Sequence, residues 1–210
     1  MTRDQILDRV KKNLNDEGIV FWTSQDGYDS IQDGYEAVAV ESLCIEKSTT
    51  LARQDGLLYY NLYQLITDFL AIKAIYNPNS GMWLPSISLK ELQGHGNDWE
   101  KIVALPTHFC PVSFEYTILW PRYTGTTFNW TIYYAAQAPT LSASTVPLIP
   151  TEFQTVLEDY CTADLLEQAQ ELNKASRYWL SYTEKMAGLK KFVKTRVLID
   201  RVPHLTGLGI

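Results

Sequence analysis

The chain has only three cysteines, Cys44, Cys110 and Cys161, and no CxxC pair. An odd number of widely spaced thiols excludes a disulfide framework and a zinc knuckle, leaving three small core or interface side chains. Histidine is equally scarce: His95, His108 and His204. None has a second His or Cys at ligand spacing, so neither a metal nor a cofactor is expected. No apolar run approaches the roughly 20 residues needed to cross a bilayer, so no membrane partner is expected. The polar start, Met1-Thr2-Arg3-Asp4-Gln5, has no signal-peptide core behind it, and synthesis in the cytoplasm is the expectation. Neither GxGxxG nor GxxxxGK[ST] occurs, and neither GxSxG nor HExxH.

What is present describes a folded protein. Of 210 residues, 46% are hydrophobic and 20% charged, enough for one good core or a core with a helical appendage. The net charge of -6 disfavours phosphate neutralisation over the whole surface. The charge is unevenly spread. Residues 23–44 hold Asp26, Asp29, Asp33, Glu36 and Glu41 with no Lys or Arg. Residues 185–201 hold Lys185, Lys190, Lys191, Lys194, Arg196 and Arg201 against Asp200 alone. Two oppositely charged ends suit self-assembly or docking on a charged partner; two solvated helix faces would give the same pattern.

The periodicities change twice along the chain. Thr2 and Gln5 have capping-box spacing, and Ile6, Val10 and Leu14 predict a helix to about Asn15, stopped by Gly18. Tyr28, Ile31, Tyr35, Val38 and Leu43 predict a second helix from Gln25 to Leu43. Gly27 and Gly34 weaken it by up to about 1 kcal/mol each, so it must lean on packing. Thr49 to Arg53 and Leu57 to Leu62 flank Asp55-Gly56, a hairpin signal. Phe69 to Tyr76 and Met82 to Ile87 form a second pair around Asn77-Pro78-Asn79-Ser80-Gly81. Ser88 and Glu91 cap a short helix ending near Gly94 and Gly96. Val112 to Trp120 and Phe128 to Ala135 are strands by composition. A Pro-rich connection, Ala138 to Pro150, leads to Thr151-Glu152-Phe153-Gln154, which is expected to cap a long helical region. Phe153, Leu157, Cys161, Leu165, Ala169, Leu172, Trp179, Tyr182, Met186 and Leu189 keep its phase, with a break near Glu171 to Asn173.

The expected fold is therefore α+β. N- and C-terminal helices form a bundle (1–47 and 151–202), and a β-rich domain with its extended connection (48–150) holds antiparallel hairpins in a sandwich-like region. A tail follows (203–210).

Chemistry is sparse. His95 lies in Gly94-His95-Gly96-Asn97-Asp98-Trp99, which could hold a catalytic base and suggests a small hydrolase using His95 and Asp98. His108 and Cys110 lack an orienting third group. Asp98 with Glu100, and Asp159 with Asp164, read more simply as surface charges. No catalytic residue is assigned, and no enzyme is expected. The six tryptophans and thirteen tyrosines suit a core and protein interfaces. They also suit a glycan-binding or single-strand nucleic-acid-binding module, which stands as the alternative.

From Ser24 to Val197 the layout resembles the head–tail connector (adaptor) proteins of tailed bacteriophages. Four segments carry the resemblance. The N-terminal helix pair is followed by Asp55-Gly56-Leu57-Leu58-Tyr59-Tyr60, like the family's first hairpin. Trp99 and then Pro106-Thr107-His108-Phe109 are similar to a Trp … Gly-x-Pro-x-Tyr segment, with Ala104 often Gly and His108 often Tyr in the family. The strand Phe114 to Trp120 closes at Pro121 and is followed by Asn129-Trp130-Thr131-Ile132-Tyr133-Tyr134. Last, Pro147-Leu148-Ile149-Pro150-Thr151-Glu152-Phe153 leads into the C-terminal helices.

The resemblance implies a structural virion protein without catalysis or cofactor, assembled in the host cytoplasm and located in the neck at the head–tail junction. It implies a ring, commonly dodecameric, docked under the portal protein. The ring would receive a neck, nozzle or tail protein on its other side and let DNA pass without sequence-specific binding. Portal docking then falls to Lys190, Lys191, Lys194, Arg196, Arg201 and His204. Contacts between copies fall to Asp26, Asp29, Asp33 and Glu36, and tail-side loops carry Asn77, Asn79, Tyr123 and Thr126.

Overall fold

The computed structural model describes residues 1–16, 21–52, 55–78, 81–124 and 129–200, with 196–200 described by backbone alone. The chain is α+β. Its contacts divide into two units: Met1–Cys44 with Ala138–Ile210, and Ile45–Gln137.

Four helices build the first unit. α1 (Arg3–Leu14) has the expected capping box, with Thr2 accepting from Gln5 N and Gln5 accepting from Thr2 N. It ends at Asn15, whose φ of 55° is left-handed. Gly18, expected to stop it, lies outside the described residues. α2 (Ser24–Ser42) also starts with a capping box, Thr23 with Asp26. That cap escapes a search for Glu or Gln at the third helical position.

α5 (Thr155–Gln168) packs against α1, α2 and α6 (Leu172–Asp200). It is buried on nearly every side, through Val156, Leu157, Cys161, Ala163, Leu165 and Leu166. Its polar side chains face partners. Arg9 pairs with Glu158 at 2.9 Å, Asn13 donates to Thr162 at 3.4 Å and Ser30 to Asp164 at 2.6 Å. Lys185 and Ser181 both meet Asp159 Oδ2, at 2.5 and 2.6 Å. Burial raises the Glu158 pKa, and the charges of Arg9 and Lys185 oppose the rise. Such buried groups are tolerated only because each is bonded.

The break near Glu171 is real: Gln170 takes a φ of 61° and separates α5 from α6. The start of α5 differs from expectation. Thr151–Phe153 is one 3-10 turn, and no side chain caps the helix behind it. Gln154 is buried instead, donating to Pro147 O and Ile149 O. The Pro-rich segment before it is held along the helices. Arg3 N donates to Thr145 O at 3.1 Å, Leu141 N to Gln32 Oε1 at 2.9 Å, and Leu148 N to the Tyr35 hydroxyl at 2.9 Å.

The second unit holds two antiparallel sheets. One has the order β1-β7-β3-β4, from Glu46–Leu51, Trp130–Ala136, Phe69–Asn77 and Met82–Leu84. The other has the order β2-β6-β5, from Tyr59–Asn61, Tyr116–Trp120 and His108–Pro111. Two short helices, α3 (Leu62–Leu65) and α4 (Leu89–Gln93), join strands, and α4 has the expected Ser88–Glu91 capping box.

The β3–β4 hairpin forms as expected. The hairpin at Asp55-Gly56 does not. Gly56 makes a turn at φ +67°, but β1 pairs with β7 and β2 with β6. Likewise β6 and β7 do not pair with each other; they lie in different sheets. β5 follows Pro106 closely and ends on Pro111, and prolines at such spacing read as a loop in the sequence. The smaller sheet has its own core of Leu58, Leu92, Trp99, Cys110, Ile118 and Trp120. Trp120 Nε1 donates to Trp99 O at 2.9 Å, so its one polar atom is satisfied.

Candidate functional site

α2 turns four acids outward. Asp26, Asp29, Asp33 and Glu36 are exposed and form no ion pair among the described residues. Asp26 is held by the Thr23 cap, which lowers its pKa. Asp29 and Glu36 accept from Gln25 and Gln32 one turn before them, at 2.6 and 2.8 Å. Asp33 sits among like charges. Partial burial first, then Glu36, Asp164 and Asp29, raise its pKa. The ridge is thus a local negative field, with no ion pair to a cation among the described residues.

Glu41, one turn further along α2, is different. It pairs with Lys190 of α6 at 2.9 Å. Lys190, expected at a docking face, is therefore engaged within its own chain. Lys185 is engaged too, with Asp159. Lys191 and Lys194 are exposed and form no ion pair among the described residues. The side chain of Arg196, and Arg201 and His204 altogether, lie outside the described residues.

Of the expected tail-side loop residues, Asn77 ends β3 and is 1% exposed, so it presents no free side chain at the turn. Tyr123 is half-buried, and Asn79 and Thr126 lie outside the described residues.

Among the described residues His95 and Asp98, which suggested hydrolysis, form no hydrogen bond or ion pair with each other. The His95 ring is 4.5 Å from Trp120 and Asp98 pairs with Lys101 at 2.6 Å. His108 Nδ1 lies 2.8 Å from the Thr107 hydroxyl. Burial raises the Cys110 thiol, which makes it a poorer nucleophile. Among the described residues no three His, Cys, Asp or Glu side chains are grouped to hold a metal.

What the sequence did not reveal are the exposed apolar groups. On the four-stranded sheet, Trp83 lies 5.1 Å from Tyr76 and 5.2 Å from Tyr133, an open aromatic trio. On α6, Leu172 and Leu180 face outward. In the smaller sheet Phe114 is 91% exposed at the β5–β6 turn, and Ile102, Val103 and Leu105 are exposed nearby in sequence. Strand alternation gave no clue to Phe114, because the expected strand began at Val112 whereas β6 begins at Tyr116.

Among the described residues the surface thus carries an acidic ridge on α2 and exposed apolar side chains on α6 and both sheets. No curated protein matches the chain. The family model of the SU10 adaptor protein matches residues 1–201, and the chain therefore belongs to this family of phage head–tail adaptors, structural components of the virion that interact with other head and tail proteins.

Proposed function

We propose that the chain forms a ring, in the manner of its family a dodecamer, that docks under the portal and receives the next neck or tail component. DNA passes through the ring without sequence-specific contacts. An acidic chain supports this last point, because it accumulates few phosphate contacts that would hold the genome back. The observation that carries the reading, beyond family membership, is the ridge of Asp29, Asp33 and Glu36. It forms no ion pair among the described residues, and a basic face on a neighbouring copy would relieve its like-charge repulsion. The portal side would be met by Lys191 and Lys194, exposed on α6, and by Arg196, Arg201 and His204 that follow them in the sequence. Assembly takes place in the host cytoplasm, and the finished ring sits in the virion neck.

Light scattering of the chain, alone and mixed with portal, tests the reading. Ring-sized particles are expected with portal even if the free chain is a monomer. A persistent monomer without affinity for portal overturns it. A second reading, binding of glycans or single strands, is favoured by the open Trp83–Tyr76–Tyr133 trio. Binding of an oligosaccharide or oligonucleotide that is lost in Trp83→Ala would support that second reading.

A further inference from the structure

The smaller sheet carries an unpartnered apolar patch at each end. At one end lies the β5–β6 turn, with Phe114 91% exposed at its apex and Val112 and Tyr116 exposed beside it. Tyr63 of α3 is exposed next to them, where Leu62 N donates to Glu115 O at 2.7 Å. The turn is held firmly. Ser113 Oγ accepts from Glu115 N and Tyr116 N at 3.2 and 3.1 Å, and Val112 N donates to Tyr116 O at 3.0 Å. Phe114 thus stands on a preorganised support, which lowers the entropy lost on docking. The turn's one charge, Glu115, forms no ion pair among the described residues.

At the other end lie the exposed side chains Ile102, Val103 and Leu105. Their backbone is tied to Arg122, with Arg122 N donating to Ile102 O and Ala104 N to Arg122 O, both at 3.0 Å. Arg122 forms no ion pair among the described residues, and its Nε is buried without a hydrogen-bond partner. Arg122 as a whole is half-buried, so its guanidinium charge, not the buried Nε, is what a second copy could meet. The five residues of β6 separate the two ends by roughly 17 Å of strand, too far for one to satisfy the other within a chain.

Two different apolar patches at opposite ends, each with one unmet charge of opposite sign, suit a head-to-tail contact between copies. We propose that Phe114 of one copy seats on the Ile102, Val103 and Leu105 patch of a second copy, with Glu115 facing Arg122. A tip-to-tip pairing would set Glu115 against Glu115 and leave Arg122 unmet. The contact rests on the ring reading above and assigns it to a surface of the β unit.

Cross-linking of the full chain tests this, in a Cys44→Ser background because Cys44 is the one half-buried thiol. The measurement is made under the condition, free or with portal, in which light scattering detects assembly. Phe114→Cys combined with Val103→Cys should give a ladder of oxidised multimers, and either change alone should give none. Assembly without a ladder, or dimers from Phe114→Cys alone, overturns the contact while the ring reading stands. Absence of assembly of the parent chain, with Phe114 and Val103 in place, in both conditions overturns the ring reading and the contact with it. Without cross-linking, Phe114→Ala should weaken association about 30-fold. Glu115→Arg and Arg122→Glu should each weaken it roughly five-fold, and their combination should restore it. A combination as weak as the single changes overturns the pairing.

Discussion

Lys190 Nζ and Glu41 Oε2 lie 2.9 Å apart and join α6 to α2 within one chain. The Tyr182 hydroxyl also donates to Glu41, at 3.4 Å. Both charges are about half exposed, so the pair contributes at most about 1 kcal/mol. Lys190→Glu is expected to lower stability by about that amount in a denaturant titration. Lys191→Glu and Lys194→Glu should stay within about 0.5 kcal/mol of the parent and act on assembly alone. An equal loss of stability in all three would refute the distinction.

Gly34 of α2 packs directly against the Tyr160 side chain of α5. A Cβ there would stand 2.6 Å from Tyr160 Cδ1 and 2.9 Å from Tyr160 Cγ. Tyr160 cannot retreat freely, because its ring stacks edge-on against Trp179 and Tyr182 at 5.2 and 5.5 Å. The gain of about 1 kcal/mol in helix propensity is outweighed, and Gly34→Ala should destabilise by about 1–3 kcal/mol. At Gly27 the clash is with the flexible end of Leu7, so Gly27→Ala should cost less. Thermal unfolding of the two variants ranks them.

Asp68 accepts from Lys47 at 2.6 Å and from the Tyr134 hydroxyl at 2.9 Å. Burial would raise its pKa, but these bonds and the Lys47 charge together hold it below 3.8. A lowered folded pKa means that the stabilisation is present above 3.8 and is lost as pH falls through the folded value. Asp68→Asn should cost about 1 kcal/mol at neutral pH, discounted for partial exposure, and progressively less in acid. Tyr134 runs the other way in alkali. Burial and then Asp68 push its hydroxyl from 10.0 up to about 12, so its contribution is complete below 10.0 and fades as pH rises through the higher value. Urea titrations of parent and variant across pH measure both limbs.

Trp120→Phe keeps most of the apolar surface but removes the donor to Trp99 O. The Trp99 carbonyl would keep only its longer bond from Ile102 N, at 3.4 Å, so losing the indole donor should cost about 0.5–1.5 kcal/mol. A loss well under that range would show that water reaches the Trp99 carbonyl. Chemical denaturation followed by circular dichroism reads the cost independently of the lost indole fluorescence.

The three thiols should separate by reactivity. Cys110 and Cys161 are buried, and burial pushes the Cys161 thiol up to about 12. Only Cys44 should react with a thiol reagent in the native chain, while all three should react in denaturant. Rapid native labelling of more than one thiol per chain would contradict this packing.

How much was legible follows the distance over which each feature is decided. The capping boxes at Thr2 and Ser88, the β3–β4 turn and the break before α6 are written in residues three to five apart. Their hydrogen bonds close locally, so side-chain chemistry at adjacent positions decides them. The same holds for the uneven charge. The partners of the strands are decided elsewhere. Asp55-Gly56 makes its turn, yet Glu46 pairs with Ala135 and Tyr59 with Ile118. That choice depends on which faces are buried across the whole unit, and no local spacing reports it. Phe114, Arg122 and Lys190 show the same limit at the surface. Residue order alone was enough for an α+β chain of the phage adaptor family, with its helices, turns and charge. Only the tertiary structure decided which charges are met within the chain and which apolar side chains are left outward, because burial and pairing are properties of the packed chain.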